Sequence, residues 1–505
     1  MQYDAVLISP PSRMINHYRP PLALLYIAGY LRHMGWSVKI IDRPMDQIVR
    51  DRAFLKNIPG QIMRIEALML EELKNLHTRV LGITFYTPEY QEVMTLARAA
   101  KKAIPGVTVI AGGIHPALYP DEAVFTGSPI DIAVNGEGET VMHEILTALA
   151  GQKSLADVNG IAYYNPHLKK TVKTSSRAVS GLDEISYPAY DLVDMNYYLN
   201  ASPYAIRGCF LRAAYVLGSR GCPSQCTFCV AVNLRRQSLG KAVRMRSAES
   251  MFAEISDLKK NYLIDAFYFI DDLFTIDKEN IMRFCNLLVQ NKSSVIWGCS
   301  AKASTLDEEM IASMARSGCV QIDFGVERGS DQALAVLKKG ITLQIIRKVF
   351  ALCRKYRIRT FANFLVNTPG ETAEDLADIE KLICELKPDI VAVNIFTPYP
   401  GTEIYRNCSF RFDIAEYPML TAASRRIYKD RRLKFCSHAI NVIEWADRVN
   451  RKYNSLFRNM RFYLNPRYWR VLLSSGAKIN YLKQAGLLLR EVVNQKFSRY
   501  AQAED

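Results

Sequence analysis

The segment Tyr215-Val-Leu-Gly-Ser-Arg-Gly-Cys222-Pro-Ser-Gln-Cys226-Thr-Phe-Cys229 joins a short apolar run to three cysteines with C-x3-C-x2-C spacing. Three thiolates this close together can hold three corners of a cubane iron–sulfur cluster and leave its fourth iron without a protein ligand. An open iron can bind a substrate or a second cofactor, so the spacing indicates chemistry as well as electron storage. The segment therefore predicts a [4Fe–4S] cluster bound by Cys222, Cys226 and Cys229.

The cysteines follow the first of six strand patterns that alternate with helical patterns. Six such units in succession predict a partial (β/α)6 TIM-type barrel over residues 208–410, with its active site at the carboxyl ends of the strands. The cysteines are therefore expected at the barrel mouth. The predicted strands are Tyr215–Leu217, Ala266–Ile270, Ser294–Cys299, Val320–Phe324, Thr360–Val366 and Ile390–Ile395.

The first 150 residues show a similar alternation and predict an α/β domain with a Rossmann-like, doubly wound parallel sheet. Ligands of such sheets bind beyond the carboxyl ends of the strands. No G-x-G-x-x-G opens the first predicted helix, which disfavours a nicotinamide cofactor. The candidate ligand-binding residues at the predicted strand ends are Pro10, Thr84, Tyr86, Gly112, Gly113, His115, Gly136, Glu137 and Gly138.

Length and composition place the chain among folded proteins with several domains. Its 505 residues exceed one ordinary core, and 49% hydrophobic with 23% charged residues is typical of a globular protein. No stretch reaches the roughly 18 uninterrupted apolar residues of a membrane span. The start lacks the pattern of a secretory signal, and the eleven cysteines, all at Cys209 or later, form no disulfide framework. A cytoplasmic location is expected.

Two further regions complete the predicted organisation. The pattern predicts a linker with a small hairpin for residues 151–207. It predicts a helical basic region for residues 411–505. From Arg411 onward, 19 Lys and Arg residues stand against 8 Asp and Glu, which accounts for most of the net charge of +15. This excess fits either a solvated helical surface or attraction to an anionic partner. Because Trp445, Tyr453 and Phe457 lie among the basic residues, peripheral contact with the inner face of a membrane is one hypothesis. Nucleic acid is not expected as a partner.

The barrel region resembles the radical S-adenosylmethionine (SAM) enzymes over most of residues 213–405. Besides the three cysteines, the likeness is carried by Phe269-Ile-Asp-Asp-Leu-Phe-Thr275, Gly325-Val-Glu-Arg-Gly329, Thr368-Pro-Gly-Glu-Thr372 and Thr397-Pro-Tyr-Pro-Gly-Thr402. The first domain resembles the cobalamin-binding domain fused to one large branch of that family. That likeness is carried by Pro20-Pro-Leu22, Gly112-Gly-Ile-His115 and Gly136-Glu-Gly-Glu139.

The resemblance implies an enzyme that uses a [4Fe–4S] cluster, SAM and cobalamin. Reductive cleavage of SAM at the open iron would functionalise an unactivated C–H bond, most simply by C-methylation of a secondary metabolite, lipid or isoprenoid, with electrons from a flavodoxin or ferredoxin. Cyclisation or rearrangement, and a first domain that does not retain cobalamin, are alternatives. A third hypothesis is that the protein is a non-catalytic cobalamin or redox sensor, which the SAM motifs disfavour. Methylthiotransferases are disfavoured because the three further cysteines they carry in the first domain are absent.

The resemblance also assigns roles to single residues. Phe228 lies beside the cluster ligands, Glu327 would bind the amine of SAM, and Gly325 and Gly370 would allow its close approach. Asp271 and Asp272 would orient the cysteine loop or the substrate, or cap the following helix.

Three features depart from the family pattern. No Asp-x-His-x-x-Gly follows the first strand, so a histidine ligand to cobalt is not expected there, and His115 is the histidine best placed near the crevice. Lys302 and Asn367 stand where relatives often carry Arg and Gly.

Overall fold

The computed structural model describes residues 2–11, 19–43, 58–178, 181–199, 205–209, 211–237, 239–241, 243–420, 430–454 and 466–474. The strands of its N-terminal part are β1 Gln2–Tyr3, β2 Ala5–Ile8, β3 Val38–Ile41, β4 His77–Thr78, β5 Val80–Thr84, β6 Thr108–Gly112, β7 Ile132–Val134, β8 Ile161–Asn165 and β9 Lys170–Lys173. The helices are α1 Leu22–His33, α2 Ile58–Lys74, α3 Tyr90–Ala103, α4 Ile114–Leu118, α5 Pro120–Ala123, α6 Gly138–Leu149 and α7 Met195–Tyr198.

A seven-stranded sheet in the order β3-β2-β5-β6-β7-β8-β9 forms the N-terminal domain. Strands β3 to β7 in this order are parallel, and alternate residues of β2 belong to two different apolar clusters. Helices α1 and α6 contribute to one cluster and α2 and α3 to the other, so both faces of the sheet are covered. This confirms the predicted doubly wound α/β domain. The chain reverses its direction of winding between β2 and β5, which is where such sheets open a ligand crevice.

The hairpin expected near residues 160–173 is present as β8 and β9. It pairs antiparallel with β7, with Ile132 opposite Tyr163, and therefore extends the N-terminal sheet beyond residue 150. The hairpin occupies the edge of β7, whose backbone groups would otherwise be unpaired.

The second domain is built on six parallel strands in sequential order. They are β10 Ala213–Val216, β13 Ala266–Phe269, β14 Ile296–Ala301, β15 Cys319–Glu327, β16 Arg359–Val366 and β17 Ile390–Ile395, and a small ribbon joins β11 Ser219–Arg220 to β12 Arg244–Met245. The helices are α8 Ala231–Gln237, α9 Ala248–Tyr262, α10 Lys278–Gln290, α11 Glu308–Arg316, α12 Asp331–Val336, α13 Leu343–Lys355, α14 Ala373–Leu386, α15 Glu403–Arg406, α16 Val442–Tyr453 and α17 Pro466–Ser474. This arrangement confirms the predicted partial barrel.

The long barrel helices begin where a polar side chain caps the first turn. In each case a side-chain oxygen accepts a hydrogen bond from a backbone N–H of that turn, which satisfies a donor that the helix itself leaves free. The capping residues of α9, α10, α11, α13 and α14 are Ser247, Asp277, Asp307, Thr342 and Thr372.

Helix α16 covers the last strand of the open barrel. The Asn450 amide accepts from the Val393 N–H at 2.8 Å and donates to the Val393 carbonyl at 3.2 Å, and Asn454 makes the same pair of bonds to Val391. Two asparagines one helical turn apart thus replace the missing neighbour of β17. Trp445 is buried on the same helix.

The carboxyl-terminal edges of the two sheets face each other. Helix α4, which follows β6, packs against α8, which follows the cysteines, and Gly401 leaves room for Leu118 of α4. One apolar cluster runs from the N-terminal sheet into the barrel. Among the described residues, no helix is both long enough and apolar enough to pass through a bilayer.

Candidate active site

The three cysteines line one cavity of about 350 Å³ at the barrel mouth. Cys226 is buried and the other two are partly exposed. The cavity wall combines side chains from the cysteine loop, the barrel strands and one residue of the N-terminal domain. It includes Arg19, Arg207, Tyr215, Cys222, Ser224, Cys226, Phe228, Cys229, Tyr268, Asp272, Ser300, Lys302, Asp323, Gly325, Lys339 and Asn363.

Asp271, at the end of β13, fixes the start of the cysteine loop. Its carboxylate accepts a hydrogen bond of 2.8 Å from the Gly218 N–H, and burial raises its pKa to about 7. A Cβ on Gly218 would lie 2.9 Å from both the Met251 sulfur and the Phe274 ring, so the loop passes where only glycine fits. Because Asp277 caps the next helix, the structure assigns Asp271 to the loop.

Backbone hydrogen bonds hold the cysteine loop between two other parts of the barrel. The Thr227 N–H donates to the Leu337 carbonyl, and the Thr227 carbonyl accepts from the Ile404 N–H, each at 3.1 Å. Arg235 of α8 donates to the Cys222 carbonyl at 2.9 Å. These bonds tie the loop to the rest of the barrel.

A buried ion pair lies beside the cysteines. Lys339 donates to Glu327 at 2.9 Å, and the Lys339 ammonium lies 5.7 Å from the centre of the Phe228 ring. Burial raises the pKa of Cys226, an effect that Lys339 opposes, and it raises the pKa of Cys229 to about 11. A thiol whose pKa is raised by burial keeps its proton more firmly, and metal binding removes it. Lys339 offsets the negative charge that would then develop.

The residues predicted around SAM do not all reach this cavity. Phe228 and Gly325 line the cavity. Glu327, whose backbone φ is 67°, pairs with the lining residue Lys339 but is not itself among the described residues that line the cavity. A Cβ on Gly325 would overlap with Glu327 Oε1, so this glycine makes room for the ion pair. Gly370 is exposed in a turn with φ of 75° and is not among the described residues that line the cavity.

The barrel lumen carries polar side chains that the sequence reading missed. Arg207 donates to Asp323 at 3.2 Å and stacks on Phe361, with 3.9 Å from the guanidinium carbon to the ring centre. The Tyr268 hydroxyl lies 3.1 Å from that of Ser300. Lumen-facing residues alternate along strands, so the parity of β13 to β16 would have indicated Tyr268, Ser300, Asp323 and Phe361, whereas Arg207 lies in a turn before β10.

The crevice of the N-terminal sheet opens at the ends of β2 and β5. Thr84 ends β5, Pro10 is buried in the loop after β2, and Tyr86 is half exposed with its pKa raised, mainly by partial burial. A Cβ on Gly112 would have no atom within 4 Å, whereas a Cβ on Gly113 would lie 2.7 Å from the Phe85 carbonyl oxygen. Of these two glycines, Gly112 is the one with open space beside it.

His115 is packed in an aromatic box. Its ring is fully buried, lies within 5.7 Å of the ring centres of Phe85, Tyr90, Tyr119 and Tyr417, and lies 3.1 Å from the Thr87 hydroxyl. Burial lowers its pKa to about 3. A contact between this ring and a cofactor would require the box to open.

The Gly136–Glu139 loop makes ion pairs across the domain boundary. Glu137 pairs with Arg220 and Arg244, and Glu139 pairs with Arg220. Gly136 has φ of 112°, and a Cβ on Gly138 would lie 2.7 Å from Ile27. These contacts are with protein groups, so packing already accounts for the residues predicted to approach a cofactor here.

Comparison with known proteins agrees with this geometry. The B12 binding domain family model matches residues 14–146, and the Radical SAM superfamily model matches residues 216–383. The chain is a radical SAM protein with a B12-binding domain. It is therefore an enzyme of the radical SAM class, as the resemblance implied, and its two domains imply a [4Fe–4S] cluster with SAM and cobalamin.

Relatives of this radical SAM enzyme include an uncharacterized methyltransferase of Pyrococcus horikoshii, 29% identical over 79% of this chain and 82% of that protein. The anaerobic magnesium-protoporphyrin IX monomethyl ester cyclase of Rubrivivax gelatinosus is 25% identical over 88% of this chain and 75% of that protein. The solved structure of TsrM, a radical SAM methyltransferase of Kitasatospora setae, superposes with a TM-score of 0.63 at 18% identity, covering 80% of this chain and 74% of that one. This last likeness shows a shared fold.

The residues present fit the implied cluster. Three thiols share one cavity with the Lys302 and Lys339 ammonium groups, so thiolate charge is balanced nearby, and one side of the cavity is open for a further ligand. The N-terminal domain also has room for the corrin ring of cobalamin. No atom obstructs the space beside Gly112, which lies next to the crevice where the winding direction of the sheet reverses. Cys209, by contrast, is buried with its pKa raised to about 12, which disfavours a reactive thiolate. Cys222, Cys226 and Cys229, by comparison, line one cavity together.

Proposed function

We propose that this protein is a cobalamin-dependent radical SAM C-methyltransferase. The observation that carries the proposal is that the carboxyl-terminal edge of the B12-binding sheet faces the cavity lined by Cys222, Cys226 and Cys229. Arg19 of the first domain reaches over the Tyr215 ring of the barrel, with 4.9 Å from its guanidinium carbon to the ring centre. A methyl donor in the crevice and a substrate in the barrel would then share one space.

The chain's own residues have defined tasks in this proposal. The cysteine thiolates hold the cluster, which supplies reductive cleavage of SAM when bound, and a flavodoxin or ferredoxin delivers the electron. Asp271 and Thr227 hold the cysteine loop in place. Lys339 and Glu327 set the charge beside Cys226.

The lining of the lumen favours a polar substrate over a lipid or an isoprenoid. Arg207, Asp323 and Asn363 face the cavity together with the Tyr268 hydroxyl. Arg207 bonds to Asp323 and the Tyr268 hydroxyl to Ser300, but their remaining donors and acceptors would lose water against a hydrocarbon, at a cost of about 1–3 kcal/mol for each polar group left unsatisfied. A small metabolite with hydrogen-bonding groups satisfies them instead.

Ring formation is the second candidate function. It is favoured by the likeness to the cyclase of Rubrivivax gelatinosus, which covers more of this chain than the likeness to the Pyrococcus methyltransferase. The two outcomes differ in product mass. Metabolites of a strain that lacks the gene and of its parent, compared by mass spectrometry, should differ by one CH2 group for methylation. A product formed with loss of hydrogen and no added carbon would instead support cyclisation.

The first experiment asks whether the cysteines support the chemistry. Protein purified without oxygen and reconstituted with iron, sulfide and cobalamin should release 5′-deoxyadenosine or S-adenosylhomocysteine from SAM after reduction. Cys222→Ser, Cys226→Ser and Cys229→Ser should each lower iron content and abolish this release. Cys384→Ser, which changes an exposed cysteine outside the cavity, is the control and should behave as wild type. Full activity in the three loop variants would refute the proposal.

A further inference from the structure

We propose that Arg220 is a positioning residue that locks the B12-binding domain to the cysteine loop and so sets the distance between the cobalamin and the cluster. The inference rests on the proposed function for its cofactors. The contact between the two domains involves protein groups alone, so it can be tested without cofactors.

The lock consists of two arginines of the barrel domain and two glutamates of the B12-binding domain. Arg220 Nη1 lies 3.0 Å from Glu137 Oε2, and Arg220 Nη2 lies 2.5 Å from Glu139 Oε1. Arg244 also pairs with Glu137. The side chains are 5–26% exposed, so water screens these pairs much less than it screens surface pairs.

Both arginines lie next to the cluster ligands. Arg220 and Arg244 are directly opposite each other in the β11–β12 ribbon, and Arg220 is two residues before Cys222. Like charges at opposed positions of an antiparallel pair repel. The glutamates of the other domain offset this repulsion, so the ribbon is stabilised by the docked domain.

The glutamates in turn lie at the edge that faces the cavity. Gly136 lies just after β7, and Glu139 is in the first turn of α6. Glu139 is buried, which by itself would raise its pKa, yet Arg220 lowers the pKa below the ordinary value. A carboxylate this buried needs its partner, because removing one member of such a pair leaves an uncompensated charge.

A second buried ion pair, between Arg246 and Glu254, holds the residues that precede the cysteine loop. Arg246 donates to the Leu217 carbonyl at 3.1 Å and pairs with Glu254, which accepts from the Tyr190 hydroxyl at 2.7 Å. Arg246 also contacts the hydroxyl of Tyr26 on α1, whose ring lies 5.3 Å from the Arg220 guanidinium. The loop before Cys222 is thus tied to α1 as well as to α6, and it cannot shift without moving the first domain.

The test of the lock uses cofactor-free protein. Unfolding free energies of wild type, Arg220→Gln, Glu139→Gln and the double variant form a cycle. We expect the double variant to be more stable than the sum of the single effects predicts, because each single change leaves a buried charge alone. Additive effects would overturn the lock. Arg32→Gln, which removes an exposed pair with Asp191, is the matched control and should change stability little.

The test of positioning uses the anaerobic holoenzyme, reduced until cob(II)alamin and the reduced cluster coexist. In wild type, the cluster should broaden the electron paramagnetic resonance signal of cob(II)alamin. Arg220→Lys, which keeps one charge but loses the two-pronged contact, should retain iron and cobalamin while this broadening decreases. Unchanged broadening would overturn the positioning role. If the wild-type protein retained no cobalamin, the proposed function would be refuted. The stability measurements on cofactor-free protein would still show whether Arg220 and Glu139 are coupled.

Discussion

Two neighbouring glycines at the end of β6 differ in what they require of the backbone. Gly113 has φ of 96° and no room for a Cβ, whereas Gly112 has open space beside it. Gly113→Ala should therefore lower the unfolding free energy by more than about 1 kcal/mol. Gly112→Ala should leave stability within about 1 kcal/mol of wild type and weaken cobalamin retention about tenfold, which corresponds to about 1.4 kcal/mol. Denaturant titration and absorbance after gel filtration measure the two effects. Undiminished cobalamin in Gly112→Ala would contradict the placement.

The buried His115 makes stability sensitive to acid. Its pKa is about 3 in the folded protein and about 6.5 in an unfolded chain, because burial disfavours the charged ring. The unfolded chain therefore binds a proton that the folded ring excludes, and each pH unit below about 6.5 should cost about 1.4 kcal/mol until the pH nears 3. His115→Phe keeps a ring in the aromatic box and should make the fall between pH 6.5 and pH 4 less steep. His167→Gln, in the exposed hairpin turn, should keep the wild-type slope, and an equal slope in His115→Phe would refute the assignment.

At the scale of elements, Asn367 joins the barrel to the segment 430–438. It adopts φ of 64°, which explains why glycine suits this position, yet its side chain donates to the Leu433 carbonyl at 2.7 Å and accepts from the Phe435 N–H at 3.0 Å. The Glu371 carboxylate accepts from the Asn367 N–H at 3.0 Å and lies 3.1 Å from His438 Nε2. The departure from the family pattern at this turn therefore recruits a C-terminal segment.

Asn367→Gly should keep the turn and release that segment. Loss of two hydrogen bonds should destabilise the segment by about 1–3 kcal/mol, seen as faster amide exchange over residues 430–438. Asn367→Ala should be worse, because alanine is strained at this φ by roughly 1–2 kcal/mol. Lys387→Gly, at another left-handed position with φ of 48°, is the control and should leave exchange in the segment unchanged. Equal protection in Asn367→Gly and wild type would contradict this role.

At the scale of the whole molecule, the basic C-terminal region is partly committed to the barrel. Trp445 and Tyr453 are buried, and Arg448 and Lys452 pair with Glu380 of α14. Phe457 and the basic residues Arg458 and Arg461 lie outside the described residues. The four residues of α16 named above already have protein partners, so the predicted membrane contact depends on the other basic and aromatic residues of the region.

Vesicles of anionic lipid test this contact. The wild-type protein should co-sediment with them at low salt and dissociate at high salt, because the attraction is screened. Arg448→Gln with Lys452→Gln should still bind, whereas Arg458→Gln with Arg461→Gln should bind less. Absence of binding at low salt would end the membrane hypothesis without affecting the proposed chemistry.

Local sequence was sufficient wherever the decisive residues are contiguous. The three cysteines lie within eight residues, so their spacing alone predicted that they act together, and all three line one cavity. The alternation of apolar runs predicted both sheets, because burial of each strand and helix leaves a local pattern. These features depend on short-range sterics and hydrogen bonds, which a single segment encodes.

Tertiary structure alone decided which of these residues meet. The Gly136–Glu139 motif was expected at a cofactor, yet Glu139 pairs with Arg220, 81 residues away, and Glu327 pairs with Lys339 beside the cysteines. The lumen pair of Arg207 and Asp323 joins residues 116 positions apart. Such pairs depend on how two independently patterned sheets pack face to face, and the free energy of burying a charge selects the partner only once that packing exists.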